Sequence, residues 1–227
     1  MADMTDTTAQ LVQAYMARVP DSLVQYLESE VLPQYDRFDA AHRRDHARSV
    51  MQRSMAMGAH YAGTDAGMLL TAAACHDIGL CEGRATHHLA SGRMVRADGR
   101  LRQWFDEGQV EVIAEAAEDH RASADKAPRS IYGMIVAEAD RLIDPLVVLR
   151  RTMQYGLAHY AQLTREQHYE RMVTHLHEKY AEGGYIHLWL PESPNAAPLA
   201  ELRRMIADEP LLRQTFDMLW QQEACNV

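Results

Sequence analysis

Five histidine and aspartate residues lie on helix faces where a metal ion could use them. His76 follows apolar residues at three, four and seven positions, so it shares the buried face of a helix with them. His46, His120 and Asp140 fall on apolar stripes in the same way, and Asp77 adjoins His76. An isolated carboxylate on such a face would lose hydration at a cost of several kcal/mol. Because imidazole and carboxylate groups suit Mn, Fe, Ni, Zn or Mg, the pattern predicts a metal site.

Histidine is abundant, with twelve residues in a chain of 227. One buried histidine is usually a core residue that bonds a backbone carbonyl. Several on separate helices, beside carboxylates, favour a shared ion instead. His168, His175 and His177 lie together on one predicted helix without an HExxH pattern, and we predict no metal site there.

The elements that must position these residues are helices, since apolar residues recur three and four apart and strand patterns are almost absent. Pro33 is expected to kink or divide the second helix. A polar loop is expected at Ser123 to Pro128. The predicted helices are Thr5–Arg18, Asp21–Arg37, Ala41–Tyr61, Ala66–Asp77, His87–Ala97, Gln109–Arg121, Ile131–Ile143, Pro145–Tyr160, Arg165–Ala181 and a pair over Leu199–Gln222.

Composition indicates a globular protein, with 47% hydrophobic and 24% charged residues. A net charge of −9 argues against broad binding to nucleic acid or to an anionic membrane. The start MADMTDTTAQ lacks the basic and apolar segments of a signal peptide, and no apolar run could span a bilayer, so we expect a cytoplasmic protein. Cys75, Cys81 and Cys225 are odd in number and are interpreted as reduced thiols.

Three segments carry a family resemblance: HRRDHARSV around His46, TAAACHDIG around His76 and Asp77, and VAEADRL around Asp140. In order and context they resemble the H…HD…D signature of the HD-domain metal-dependent phosphohydrolase superfamily. The resemblance covers residues 36–150. GRATHHLASG and IAEAAEDHRAS resemble the auxiliary histidine segments of many members.

The resemblance implies an all-α fold, a helical bundle with the metal site between central helices. We expect this HD-type domain at residues 1–190, a linker-like segment at 191–198 and a C-terminal helical extension at 199–227. Homo-oligomer formation is left open.

The resemblance also implies the ligands. His46, His76, Asp77 and Asp140 would hold one divalent ion, and Asp77 could bridge to a second. His88 and His120 match the histidines that complete the second site. The ions would be Mn, Fe, Ni, Mg, Co or Zn, one or two in number.

Periodicity does not separate His87 from His88, because each aligns with an apolar residue seven positions on. His88 is preferred only from the resemblance to an H-x-x-x-G pattern. His120 has two mutually exclusive roles, as a ligand or, with a single metal, as a general acid.

The implied reaction is hydrolysis of a phosphoester or phosphoanhydride by metal-activated water, with a nucleotide or another small phosphorylated metabolite as substrate. Asp77 would take part in catalysis. A GYP tripeptide marks the members that cleave cyclic dinucleotides, but this chain has HRAS at residues 120–123, which argues against that activity. The members that hydrolyse alarmones have an ED pair after the HD pair, and its absence here argues against alarmone hydrolysis.

Three further residues are candidates for substrate binding. Arg84, in the loop after the HD pair, could bind phosphate oxygens, and Lys126 could do so from the polar loop after His120. His42, four residues before His46, is expected at the rim of the site. The order of ligands also resembles the di-iron HD oxygenases, and a non-catalytic metal-containing regulator is a further alternative.

Overall fold

The protein is all-α, as a computed structural model shows for residues 2–39, 42–121, 126–141, 143–191 and 193–223, with side chains described from residue 7 onward. These residues contain eleven α-helices and no strand. The α-helices are α1 Ala2–Met16, α2 Asp21–Tyr26, α3 Arg44–Gly58, α4 Ala66–Cys75, α5 His87–Ala97, α6 Glu107–Asp119, α7 Ile131–Asp140, α8 Pro145–His159, α9 Arg165–Lys179, α10 Ala196–Ala207 and α11 Glu209–Glu223.

The chain divides into two compact units between Asp140 and Arg141. The centre of the first unit is α4, which packs against α3, α6 and α7. All ten residues of α4 are buried, because the segment is apolar on every side. Asp65 fixes its start, since the Asp65 carboxylate accepts a hydrogen bond of 2.9 Å from the backbone N–H of Met68.

The predicted break at Pro33 is found. After α2, the chain continues as a π-helical turn, Leu27–Val31, and then as a 3-10 helix, Leu32–Arg37. Proline has no backbone N–H, so a regular α-helix is disfavoured around it. The change of helix type leaves Tyr35 fully buried.

The second unit contains α8 to α11. A capping box begins α9. The Thr164 hydroxyl accepts from the backbone N–H of Gln167, and the Gln167 side chain accepts from the backbone N–H of Thr164. Leu176 from α9, Leu202 from α10 and Phe216 from α11 are buried here. The sequence-based division instead puts a linker at 191–198, and that boundary stays a prediction.

Most predicted helices are observed with ends shifted by a few residues. The predicted helix over Ala66–Asp77 ends at Cys75, so His76 and Asp77 lie just beyond it. Three sequence predictions lie outside the described residues: Cys225, the predicted helix start at Ala41 and the first half of the loop Ser123 to Pro128. Cys75 is buried and Cys81 exposed, both as free thiols. None of the described helices has the length and apolar character to cross a membrane.

Candidate metal centre

Six ligand-type residues of the first unit lie at or near helix ends. His46 is in the first turn of α3, His87 begins α5 and Asp140 ends α7. His76 and Asp77 directly follow α4, and His120 directly follows α6. Chain segments that are far apart in sequence therefore bring imidazole and carboxylate groups to one place.

The Asp77 carboxylate is the centre of this arrangement, because each of its oxygens faces two imidazoles. Its Oδ2 lies 3.8 Å from Nε2 of His46 and 3.4 Å from Nε2 of His76. Its Oδ1 lies 3.2 Å from Nε2 of His87 and 3.3 Å from Nε2 of His120. Two groups of three residues result, His46, His76 and Asp77 in the first and Asp77, His87 and His120 in the second. Within each group the ligand atoms lie within 4.8 Å of one another, and Asp77 belongs to both groups.

Asp140 extends the first group. Its Oδ1 lies 3.0 Å from Nε2 of His46 and 3.7 Å from Nε2 of His76. The first group thus has two imidazoles and two carboxylates, which matches the four ligands implied for the first ion.

Backbone carbonyls fix the tautomers of three histidines. Nδ1 of His76 donates to the carbonyl oxygen of Ala73 at 2.8 Å. In the same way Nδ1 of His87 donates to Arg84 at 2.8 Å, and Nδ1 of His120 donates to Ala117 at 2.6 Å. Since a carbonyl only accepts, the proton of each neutral ring is on Nδ1 and the lone pair is on Nε2.

The inward-facing atoms are therefore mostly acceptors. The two Nε2 atoms of His46 and His76 are 3.3 Å apart, and those of His87 and His120 are 3.1 Å apart. Where these Nε2 atoms carry no proton, their lone pairs face one another and two carboxylates and need positive charge between them. This donor set fits one or two divalent cations, and the fixed Nδ1 hydrogen bonds are the outer contacts typical of metal-binding histidines.

The pKa shifts of Asp77, His76 and Asp140 also indicate that positive charge is favoured at this site. Burial opposes ionisation of Asp77, but the surrounding imidazoles, His76 foremost, hold the pKa of this carboxyl far below its usual range. Burial lowers the pKa of His76 while the Asp77 carboxylate raises it, with a net rise to about 9. Burial raises the pKa of Asp140, but the hydrogen bond with His46 and the charge of His76 lower it to about 2. Protons and metal ions would therefore compete for these atoms.

Contacts of Tyr35 and Gly79 position the HD pair, His76 and Asp77, and the neighbouring helix α5. The buried hydroxyl of Tyr35 donates to the Ala74 carbonyl at 2.8 Å and accepts from the backbone N–H of Asp77 at 3.2 Å. Gly79 lets α5 approach, because a Cβ at this position would overlap the His87 carbonyl and the backbone of Ser91. Its N–H also donates to the Ser91 hydroxyl at 3.0 Å. The close approach at Gly79 is what brings His87 to Asp77.

An ion-pair network fixes the end of α6, directly before His120. Arg129 donates from its backbone N–H to Asp119 at 2.7 Å and from its guanidinium to Glu118 at 2.6 Å. Glu118 also pairs with Arg96 of α5. The network ties α5, α6 and the segment before α7 together on one side of the centre.

The proposed phosphate-binding residues differ in their position. The Arg84 guanidinium is 75% exposed and lies 3.8 Å from the Asp39 carboxylate, which also bonds His42. The His42 ring packs against the His46 ring, so His42 lies beside the ligand cluster, and its role in substrate binding stays a prediction. Lys126 is exposed and follows residues 122–125, which lie outside the described residues.

The choice of His88 is corrected by the structure, which brings His87 to Asp77 and His120 instead. Nδ1 of His88 is buried without a hydrogen-bond partner among the described residues. Burial and the charge of Arg121 lower the pKa of His88 to about 4. The rotation of the first turn of α5 determines whether His87 or His88 faces Asp77, and this rotation cannot be predicted from helical periodicity.

Sequence reasoning missed Tyr35, Asp39 and Gly79 as residues that shape this centre. Asp39 lies inside the segment that resembles the family, residues 36–150, and Tyr35 directly precedes that segment. Polar contacts across the fold gave no sequence signal for either residue. Gly79 lies two residues after Asp77 of the HD pair, and its position could have indicated a close helix approach.

The comparison with protein families agrees with this geometry. The HD domain family model matches residues 43–143, which contain all six ligand-type residues. A search of curated proteins and a search of solved structures each found no match. Residues 43–143 of the chain therefore form an HD domain.

Proposed function

We propose that the protein is a metal-dependent phosphohydrolase that cleaves a phosphoester or phosphoanhydride of a nucleotide or another small phosphorylated metabolite. The observation that carries this proposal is the Asp77 carboxylate, whose two oxygens face two imidazoles each. Such an arrangement suits two divalent ions that share one bridging ligand, and paired ions serve displacement at phosphorus. His46, His76, Asp77 and Asp140 would hold one ion, and Asp77, His87 and His120 the other.

The position of His120 supports its role as a ligand over the role of general acid. Its Nδ1 proton is committed to the Ala117 carbonyl, and its Nε2 faces Asp77. The ring therefore directs a lone pair into the cluster. The same reasoning supports His87, whose Nδ1 is committed to the Arg84 carbonyl.

When bound, the ions supply Lewis acidity, which lowers the pKa of coordinated water and neutralises charge on phosphate oxygens. The chain supplies further positive charge at Arg84, whose exposed guanidinium can form charge-assisted hydrogen bonds with a phosphate. The three fully or nearly fully buried residues, His76, Asp77 and His120, form the inner wall, while His46, His87 and Asp140 are partly exposed. Substrate would therefore approach from the side of the partly exposed ligands.

The test is phosphate release from a panel of nucleotides and sugar phosphates with Mn, Mg, Ni, Fe or Co added. Metal-dependent release by the parent that is lost in Asp77→Ala would support the proposal. His168→Gln, a change of a buried histidine in the second unit, is the matched control and should retain activity. Equal release by the parent and Asp77→Ala would contradict the proposal.

A second candidate is a di-iron oxygenase, since two groups of ligands that share a carboxylate fit two iron ions equally well. The discriminating measurement is oxygen consumption by the iron-loaded protein with candidate substrates. Phosphate release at equal rates in air and without oxygen would exclude this candidate.

A further inference from the structure

Asp39 is an exposed carboxylate beside the metal centre that faces two side chains from different segments. Its Oδ1 accepts a hydrogen bond of 2.7 Å from Nδ1 of His42. Its Oδ2 lies 3.8 Å from Nη1 of Arg84. The first contact is a short hydrogen bond, whereas the second is a long ion pair between exposed groups and is screened by solvent.

His42 connects Asp39 to the ligand cluster, because it also contacts His46. Its ring packs edge-to-face against the ring of His46, with centroids 5.9 Å apart and an interplanar angle of 77°. His42 is only 18% exposed, so its ring is held in a defined position between the Asp39 carboxylate and His46.

His46 differs from the other three histidines of the cluster. Nδ1 of His76, His87 and His120 each donates to a backbone carbonyl, which fixes the plane of the ring. Within the described part of the chain, Nδ1 of His46 makes no such bond, and the His46 ring is restrained from outside by His42. A metal-binding imidazole needs an outer contact that sets its orientation.

We propose that Asp39 is a positioning residue of the metal centre, which orients His46 through His42. The inference deepens the proposed function, since it concerns the first of the two ion sites. Asp39 and His42 do for His46 what a backbone carbonyl does for each of the other three histidines.

The test measures binding of Mn²⁺ alone, by titration with the signal of free Mn²⁺ in electron paramagnetic resonance, so no turnover is needed. Asp39→Ala should lower the affinity of one Mn²⁺ step about tenfold, the range typical of losing an outer contact of a ligand. The other step should change little, because His87 and His120 keep their backbone contacts. A general structural defect would weaken both steps.

Two further variants separate positioning from charge. Asp39→Asn keeps an oxygen that can accept from His42, so it should restore most of the affinity. His42→Ala should cause the same loss as Asp39→Ala, and the double variant should lose no more than either single variant. The matched control is Asp36→Ala, which removes a nearby carboxylate that pairs with Arg44 and not with a residue of the centre.

The outcomes are distinguishable. If the parent binds no Mn²⁺, the metal centre, and with it the proposed function, is wrong. If the parent binds Mn²⁺ and Asp39→Ala binds it equally well, only the role of Asp39 is wrong. Equal losses in Asp39→Ala and Asp36→Ala would also overturn that role, because the effect would then reflect surface charge.

Discussion

Buried histidines occur in both units of the chain, but they meet different neighbours. In the first unit, His76 and His120 face the Asp77 carboxylate, and the net pKa of His76 is raised to about 9. In the second unit, His168 is buried against the Trp220 ring at 5.4 Å, and burial together with Arg171 lowers its pKa. Burial alone makes a neutral core histidine, whereas a facing carboxylate makes a group that attracts a cation.

The place of each histidine on its helix adds to this difference. His76 and His120 directly follow α4 and α6, where the last carbonyls of a helix have no partner within it and can accept from Nδ1. His168 lies inside α9, and its Nδ1 has no hydrogen-bond partner among the described residues. Helix ends thus supply both the approach to other segments and the carbonyl that fixes the ring.

The largest effect is expected for Asp77→Asn, which removes the charge that distinguishes the two regions. Metal affinity should fall by more than about 100-fold, beyond the loss typical of an outer contact. Calorimetric titration with Mn²⁺ checks this result, and His168→Gln should bind as the parent does. Unchanged affinity in Asp77→Asn would remove the basis of the comparison.

A smaller loss is expected for His87→Ala, which should weaken one of two metal-binding steps by about 10- to 100-fold. His88→Ala is the matched control, because His88 is adjacent but outside the cluster, and it should bind metal like the parent. Metal content after dialysis against Mn²⁺ measures both variants. The reverse pattern would restore His88 as the ligand.

Gly79→Ala tests whether close helix approach creates the cluster. The added Cβ overlaps the backbone of His87 and Ser91, so we expect a loss of about 1–3 kcal/mol in the free energy of unfolding. Gly99→Ala is the control, because a Cβ there meets no atom within 4 Å. Urea unfolding measures both, and equal stability of the two variants would argue against a close approach at Gly79.

The smallest expected effect is a change with pH in the free energy of unfolding, caused by two histidines of the second unit. Burial lowers the pKa of His168 and, together with Lys179 and Arg171, of His175, so the folded state binds fewer protons than the unfolded state. The stabilising contribution is therefore complete above the ordinary pKa near 6.5 and is lost as the pH falls below it.

Urea unfolding at pH 7.5 and 5.5 measures this loss. We expect a smaller difference between the two pH values for His168→Gln than for the parent. His177→Gln, which changes an exposed residue of the same helix, should behave like the parent. Equal differences between the two pH values in the parent and in His168→Gln would contradict the assignment of His168 as a neutral buried residue.

Much of this arrangement could be predicted from sequence. Apolar periodicity predicted the helices, and polar residues on apolar faces together with the ordered motifs predicted His46, His76, Asp77, His120 and Asp140. Contacts that depend on exact helix rotation and approach could not be predicted. The choice of His87 over His88 depends on how closely α5 approaches Gly79. The contact of Asp39 with His42 joins two side chains that precede α3, where helical periodicity gives no guidance.

The apolar character of α4 on every side also bears on how the chain folds during synthesis. The helix has no polar face to present to water, and its partners α6 and α7 leave the ribosome after it. Until the chain has been made as far as Asp140, the nascent protein exposes a surface that other chains can bind. We therefore expect expression of fragments that end before α7 to yield aggregates, while the complete first unit, through Asp140, buries that surface.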